Sequence, residues 1–417
     1  MSLAPPSPHA PYALYTTHLT GGGVGRSLLE LATGLVQQGH AVDLVVARSG
    51  GHLERVLPAG VRLVHLGRSK PLQGRWLAMR AVPRSLLWRP VLARLGTRPE
   101  VGRLGALVRY LRQRRPRAIF AAKTYANLTA IWARSLSGIP CRLVISERTA
   151  LSQEIATEAT AAWRHLLPLL ATSYPHADVI SAVSQGVADD LERLAHLPAG
   201  RVVALPNPLI SPDTFAMARA SPNHPWFDGT TPVILAAGRL VPQKDFATLL
   251  RAFALLHHQG LPHRLVIAGE GKERPALLGM IESLGLAGWV DLPGFVDNPL
   301  ALMARAALFV LSSRFEGLPG VLIQALSCGC PVVATDCPSG PREILLDGRL
   351  GALVPVGDHE ALARAMTATL AQPPDRSMLK DRAQDFSRDA VARRTAELLD
   401  GRSPEVVVSQ APSKTAS

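Results

Sequence analysis

The chain has 417 residues, room for two or three domains, and 47% of them are hydrophobic, enough for large cores. It holds no run of about 18 uncharged apolar residues and only four cysteines, so neither a membrane-spanning helix nor a disulfide framework is expected. The formal charge of +13 is gathered in one stretch: residues 68–117 hold 14 basic residues against a single acid, Glu100, whereas residues 211–417 hold 20 against 21.

The opening stretch, "MSLAPPSPHAPYALYTTHL", is proline-rich and lacks a basic lead ahead of an apolar core, so no secretory signal is expected and a reduced, cytoplasmic setting is. Within it "YALYTTHL" reads as a strand. "TGGG" breaks the chain, "VGRSLLELATGLVQQ" has apolar residues at helical spacing, Gly39 stops that helix, and "AVDLVVA" is the next buried strand. The glycine loop "TGGGVGRS" (20–27) approaches two phosphate motifs and completes neither. Thr20 stands where a Walker A loop needs glycine, and Arg26 stands where it needs lysine and where a dinucleotide fingerprint needs its third glycine. Consecutive glycines before a helix let backbone N–H groups approach an anion; a tight strand-to-helix turn is the plainer alternative.

The basic segment interleaves its arginines with Trp76, Leu77, Leu86, Leu87 and Trp88. Such asymmetry points to a polyanionic partner, and leucine interleaving without an RNA or DNA module favours an anionic membrane surface over nucleic acid. The near-absence of acidic neighbours in sequence leaves these arginines, among them Arg112, Arg114 and Arg115, free for that surface. "ALPNPLISPDTF" (204–215), proline-rich and aperiodic, reads as a hinge.

The opening pattern then returns: "PVILAAG" (strand), "RLVPQK" (loop), "DFATLLRAFALLHHQ" (helix, with Asp245 as N-cap), Gly260, "HRLVIAGEG" (strand). "WVDLPGFV", "ALFVLSS", "PVVATD" and "GALVPV" follow as strands between helical stretches; 359–371 and roughly 375–400 are helical, and 401–417 is a loose tail. Strands that are continuous apolar runs alternating with helices mean parallel sheets covered on both faces. The expected fold class is therefore α/β, two doubly wound Rossmann-like domains. Cys328, Cys330 and Cys337 have no nearby histidine and read as small buried thiols around a strand rather than metal ligands.

Chemistry concentrates on two loops of the second half. Arg239 and Lys244 lie five residues apart across a turn containing Pro242, on the loop leaving a strand, and two fixed cations suit a departing diphosphate. Glu316 precedes a helix start, with the N–H groups of Gly317 and Leu318 at its positive end, and an acid beside such donors suits a polyhydroxyl ligand that carries phosphate.

Taken together, "GRLVPQKDF", "GFVDN", "SRFEGLPGVLIQAL" and "CGCPVVATDCPSGPREIL" resemble the donor half of the family 4 glycosyltransferases, which have the GT-B fold. The glycine loop at 21–23, "VSQGVADDL" (183–191) and "LPNPL" (205–209) resemble that family's first half. The resemblance implies an acceptor-side domain over 1–208, a nucleotide-sugar domain over 209–385, and a C-terminal helix over 386–400 packing back on the first. It implies transfer of a sugar from a nucleotide diphosphate donor, a UDP-sugar, to a lipid-linked glycan, lipopolysaccharide or exopolysaccharide acceptor, with retention of configuration and without a required metal or other cofactor.

By the same resemblance Arg239 and Lys244 hold the diphosphate, and Gly22 and Gly23 lend it backbone donors. Phe295 and Val296 face the base, and Glu316, Gly317 and Leu318 meet the sugar. Gln324 stands where the family usually has a second glutamate for the ribose, and "ISERTA" puts Ser146, Glu147 and Arg148 where many members have a histidine near the reacting sugar. Peripheral association with the inner leaflet of the plasma membrane follows from the basic segment. The competing readings are a sugar-nucleotide-binding protein weakened at Gln324, a GT-B fold-mate such as a sugar-nucleotide epimerase, and a nucleic-acid binder.

Overall fold

The computed structural model describes Ser7 and residues 9–20, 23–67, 71–87, 98–157 and 162–402. Apolar runs become buried strands, and these assemble into two sheets. The first contains β1 (Tyr12–Thr16), β2 (Val42–Val46), β3 (Val61–His65), β4 (Ala118–Ala122), β5 (Arg142–Glu147), β6 (Val179–Ala182) and β7 (Val202–Ala204), in the order β3-β2-β1-β4-β5-β6-β7. The second contains β8 (Val233–Ala237), β9 (Arg264–Ala268), β10 (Val290–Gly294), β11 (Leu308–Leu311), β12 (Val332–Thr335) and β13 (Ala352–Val354), in the order β10-β9-β8-β11-β12-β13.

Both orders are doubly wound. The chain builds from its first strand to one edge, returns, and builds to the other, so β1/β4 and β8/β11 are switch points from which loops diverge to opposite faces. The pairing is parallel, for example from Val233↔Arg264 to Ala237↔Ala268 and at Leu308↔Ile234. Alternate residues of β8 serve different cores, as the two-residue strand period requires. Leu235 and Ala237 pack with Val266, Phe309 and Leu322, and Ile234 and Ala236 with Leu249, Phe253 and Ile267.

Helices follow the expected spacing. Gly23–Gln37 buries Leu28, Leu31, Ala32 and Leu35 and is closed by Gly39 at φ +87. Phe246–His258 buries Phe246, Leu249, Leu250, Phe253 and Leu256. Asp245 occupies the N-cap position of that helix but does not cap it: its backbone is left-handed at φ +47 and its carboxylate goes to Arg314 instead. The expected hinge is structured at both ends, since β7 closes at Ala204 and a helix runs Pro212–Arg219 behind reciprocal Ser211–Thr214 bonds. The helix expected over roughly 375–400 is two, Arg376–Gln384 and Arg388–Asp400. Trp88 and residues 403–417, most of the expected tail, lie outside the described residues.

By contact the chain divides into two compact units, one of Met1–Ile145, Ser173–Ile180 and Val391–Ser417, the other of Ser146–Thr172 and Ser181–Ala390. In the first, the end of the last helix is fixed by Asp400, which accepts from the Tyr12 hydroxyl and pairs with Arg117 at 2.7 Å. In the second, the Phe386 carbonyl accepts from the N–H groups of both Leu209 and Ile210, at 2.9 and 3.2 Å.

Candidate active site

The loops leaving β8 and β11 meet at the second sheet's switch point and are bonded to each other residue by residue. Gln243 Nε2 donates to the Phe315 carbonyl (2.9 Å), Arg314 N to the Gln243 carbonyl (2.8 Å), and Ser312 Oγ to the Lys244 carbonyl (2.8 Å). Arg314 Nε pairs with Asp245 at 3.1 Å. At the centre, Glu316 Oε1 accepts from Lys244 Nζ at 2.5 Å and from Ser313 Oγ at 2.7 Å. The two side chains are only 14% and 8% exposed, so this is a largely buried pair whose desolvation is offset by the added Ser313 bond. Both donors use Oε1, and Oε2 has no protein partner among the described residues. Gly238 makes room for the lysine: a Cβ there would sit 3.2 Å from Lys244 Cε. Arg239, on the same loop, is exposed, and its side chain has no protein partner among the described residues.

Behind this pair the second unit supplies a wall. Gly317 packs so closely on the end of β5 that a Cβ would lie 2.7 Å from the Arg148 carbonyl oxygen. Ser146, Glu147 and Arg148 are thereby placed beside the Glu316 loop, with Ser146 and Glu147 buried. Arg148 donates to Asn207 Oδ1, and burial pulls its guanidinium down to about 10 against the opposing charge of Glu147. Ser184 Oγ donates to the Gly317 carbonyl at 2.8 Å, and the Glu343 carboxylate accepts from Gln185 N (2.7 Å) and Gly186 N (2.9 Å) at the start of the helix Gln185–Leu194. Ser184 and Glu343 were not singled out from the sequence, although both lie in the stretches "VSQGVADDL" and "CGCPVVATDCPSGPREIL". Cys337 is close by, and burial first and then Glu316 push its thiol up to about 12. Cys328 and Cys330 are buried near β12, and among the described residues no three His, Cys, Asp or Glu side chains form a group able to hold a metal.

The remaining candidates are more dispersed. Phe295 is 70% exposed just beyond β10, while Val296 packs partly on the core. Gln324 is half-buried on the helix Gly320–Ser327, about one turn from its start. Gly23 opens the helix Gly23–Gln37 in the first unit; Gly22 lies outside the described residues.

At the carboxyl end of β1 the structure shows a group that sequence reading passed over. Thr17 Oγ1 donates to Glu100 Oε1, and Glu100 is buried rather than set among surface arginines. Tyr15, Thr16 and Glu100 each bring a buried oxygen without a hydrogen-bond partner among the described residues. Burial, then Glu100, push the Tyr15 phenol upward.

The basic segment also differs from expectation. Arg114 pairs with buried Asp43 at 3.1 Å, Arg117 with Asp400, and Arg112 donates to the carbonyls of Leu136 (2.9 Å) and Ser137 (3.3 Å). Arg98 stacks over Tyr125 at 4.5 Å. The partners come from elsewhere in the chain, so the lack of nearby acids in sequence does not leave these arginines free. Trp76 remains 52% exposed, with Arg80 5.0 Å over its ring. Among the described residues no helix is long and apolar enough to cross a membrane.

Residues 22–208 match the glycosyl transferase 4-like domain and residues 220–386 match the glycosyl transferases group 1 family. The chain is similar to the N-acetylgalactosamine-N,N'-diacetylbacillosaminyl-diphospho-undecaprenol 4-alpha-N-acetylgalactosaminyltransferase of Campylobacter jejuni, with 33% identity over 66% of this chain and 74% of that one. It is 31% identical to the lipopolysaccharide core biosynthesis glycosyltransferase LpsE of Rhizobium meliloti over 56% of this chain and 67% of that one. Among solved structures, HepE of Anabaena in complex with UDP-glucose superposes with TM-score 0.69 at 19% identity, covering 94% of this chain and 100% of that one. The sucrose-phosphate synthase of Thermosynechococcus elongatus does so with TM-score 0.71 at 20% identity, over 93% and 98%. With both halves matched by family and the two doubly wound sheets matched by fold, the chain belongs to the family 4 glycosyltransferases and is a glycosyltransferase of the GT-B fold.

Proposed function

We propose that the protein moves a sugar from a nucleotide diphosphate sugar, a UDP-sugar, to a hydroxyl of a lipid-linked glycan, lipopolysaccharide or exopolysaccharide acceptor, with retention of anomeric configuration and without a metal. The Lys244–Glu316–Ser313 cluster at the β8/β11 switch point carries the reading. Ligands of doubly wound sheets sit beyond the carboxyl ends of the strands at such a point. Lys244 and exposed Arg239 stabilise the negative charge that grows on the diphosphate as the glycosidic bond breaks. Glu316, with Oε1 already taken by two donors, offers Oε2 to sugar hydroxyls and acts as a binding and orienting group rather than a covalent nucleophile. Support for donor and acceptor class comes from the relatives, which are named for transfer onto diphospho-undecaprenol-linked sugars and for lipopolysaccharide core synthesis, and from a fold neighbour solved with UDP-glucose.

An acceptor of this kind is presented at a membrane, and we assign the protein a peripheral association with an anionic leaflet. Exposed Trp76 with its stacked Arg80 supports that reading. The test of the donor assignment is a release-of-nucleotide screen over UDP-, GDP- and dTDP-sugars with an undecaprenyl-diphosphate glycan present, followed by NMR of the anomeric centre of the product. Turnover of one UDP-sugar with the α-linkage kept is the expected result. Turnover confined to another nucleotide, or inversion, overturns the corresponding part.

A further inference from the structure

At the edge of the first sheet, β3 and the helix Leu104–Arg114 enclose a cleft of about 240 Å³. That is below the roughly 300–1,000 Å³ of sites for drug-sized ligands and suits a small charged group. Arg62, Arg109 and Arg114 line it, together with Gln113, Tyr110 and Val64. The three arginines differ in how they are held. Arg114 Nε and the Tyr110 hydroxyl both bond to Asp43 Oδ2, at 3.1 and 2.9 Å, so buried Asp43 fixes one wall. Arg62 and Arg109 are exposed, and neither has a protein partner among the described residues. No carboxylate is among the lining residues; Asp43, the register partner of Arg62 between β2 and β3, is taken by Arg114 and Tyr110, and Glu54 lies 3.7 Å from the His65 ring. The cleft is built wholly within the first unit.

We infer that this cleft is a binding site for a phosphoryl group. Planar guanidiniums match phosphate oxygens two at a time, and Arg62 and Arg109 are unengaged forks, whereas Arg114 spends its Nε and Nη2 on Asp43 and keeps only Nη1 for a ligand. Two sources present that chemistry, the headgroup of an anionic lipid and a soluble phosphate or diphosphate. The lipid source rests on the membrane association proposed above; the soluble source does not.

The test uses the full chain saturated with UDP, so that the nucleotide site is occupied, and compares wild type with the double variant Arg62→Gln, Arg109→Gln. Arg114 is left in place because its loss strips the partner from buried Asp43. Two probes are titrated: inorganic pyrophosphate by calorimetry, and phosphatidylcholine vesicles with and without phosphatidic acid by flotation. Binding of at least one probe is expected to weaken by about tenfold or more in the variant, both unengaged forks being gone, while UDP affinity stays within about twofold. Loss confined to the phosphatidic acid vesicles assigns the lipid headgroup, and loss of pyrophosphate binding assigns the soluble source. If wild type binds neither probe, or the variant binds both as wild type does, the cleft is not a phosphoryl site.

Discussion

The carboxyl ends of β8 and β1 occupy equivalent positions, each the first strand of a doubly wound sheet, yet they solve the problem of polar groups at a strand end in different ways. At β8 charge meets charge: Lys244 pairs with Glu316 and Asp245 with Arg314, and Arg239 stays exposed beside them. At β1 the acid Glu100 is buried with Thr17 donating to it, and the cation acting on the adjacent Tyr15 phenol is Arg103. Under the proposed function, the first arrangement meets a ligand carrying both phosphate and hydroxyls with a cation and an anion. The second has hydrogen-bonding capacity without a compensating set of exposed charges. The difference shows that two halves of similar topology are specialised by what terminates their first strands, since fold alone does not fix chemistry.

The largest effect is expected from breaking the charged end. Lys244→Ala leaves Glu316 buried with Ser313 as its remaining partner, at a stability cost approaching the roughly 3–5 kcal/mol seen when one member of a buried pair is removed. Transfer should fall by about 30- to 1000-fold as the leaving group loses a cation. A thermal melt and single-turnover rates measure both, and Lys244→Arg should recover most of the stability. A variant with wild-type melting and a rate within about threefold removes Lys244 from the machinery.

Glu316→Gln is gentler, since the amide oxygen still accepts from Ser313 while the charge opposing Lys244 disappears. It should lower kcat by at least about tenfold while changing affinity for the sugar-free nucleotide far less, because the lost contact is with the sugar. Equal losses in calorimetry and rate assign Glu316 to loop structure instead. At the other end, Thr17→Val removes the donor to a buried carboxylate, which should cost about 1–3 kcal/mol by denaturant titration and leave nucleotide affinity alone. A parallel loss of nucleotide affinity would erase the distinction between the two ends.

Smaller changes sharpen the comparison. Gln324→Glu supplies a charged acceptor on the half-buried face of its helix and should tighten donor binding about 5- to 30-fold, equivalent to roughly 1–2 kcal/mol. Weaker binding after the change means that the site has reorganised around the amide. The smallest effect concerns His263, whose pKa is lowered by burial. The unfolded chain therefore takes up protons first, and stability present above about pH 6.5 is lost as pH falls through the lower folded value. His263→Gln should flatten that slope in melts between neutral and mildly acidic pH; an unchanged slope places the titration elsewhere.

Much of the second half was legible because its signals are local. β8, β9, β11 and β12 are continuous apolar runs, and Arg239, Lys244 and Glu316 sit on loops that leave them. The Lys244–Glu316 contact, between partners 72 positions apart, was not readable, and neither was the Arg114–Asp43 pair, 71 positions apart. The basic segment misled for that reason: a window of sequence counts neighbours along the chain, whereas Asp43 and Asp400 arrive through folding. Glu343 escaped notice because its role is to accept two backbone N–H groups 157 and 158 residues away, which leaves no charge pattern to find. Asp245 looked like an N-cap because composition cannot show that Arg314 competes for its carboxylate.

The closeness of Lys244 to Glu316 also governs how the protein meets its ligand before contact. Seen from beyond about 8–10 Å, the screening distance at physiological salt, two opposite charges 2.5 Å apart are a dipole whose field fades quickly. Long-range attraction from this strand end then comes chiefly from Arg239, a single exposed cation. For the donor proposed above, this strand end therefore adds little to steering, and attraction at a distance comes from the rest of the chain, whose formal charge is +13.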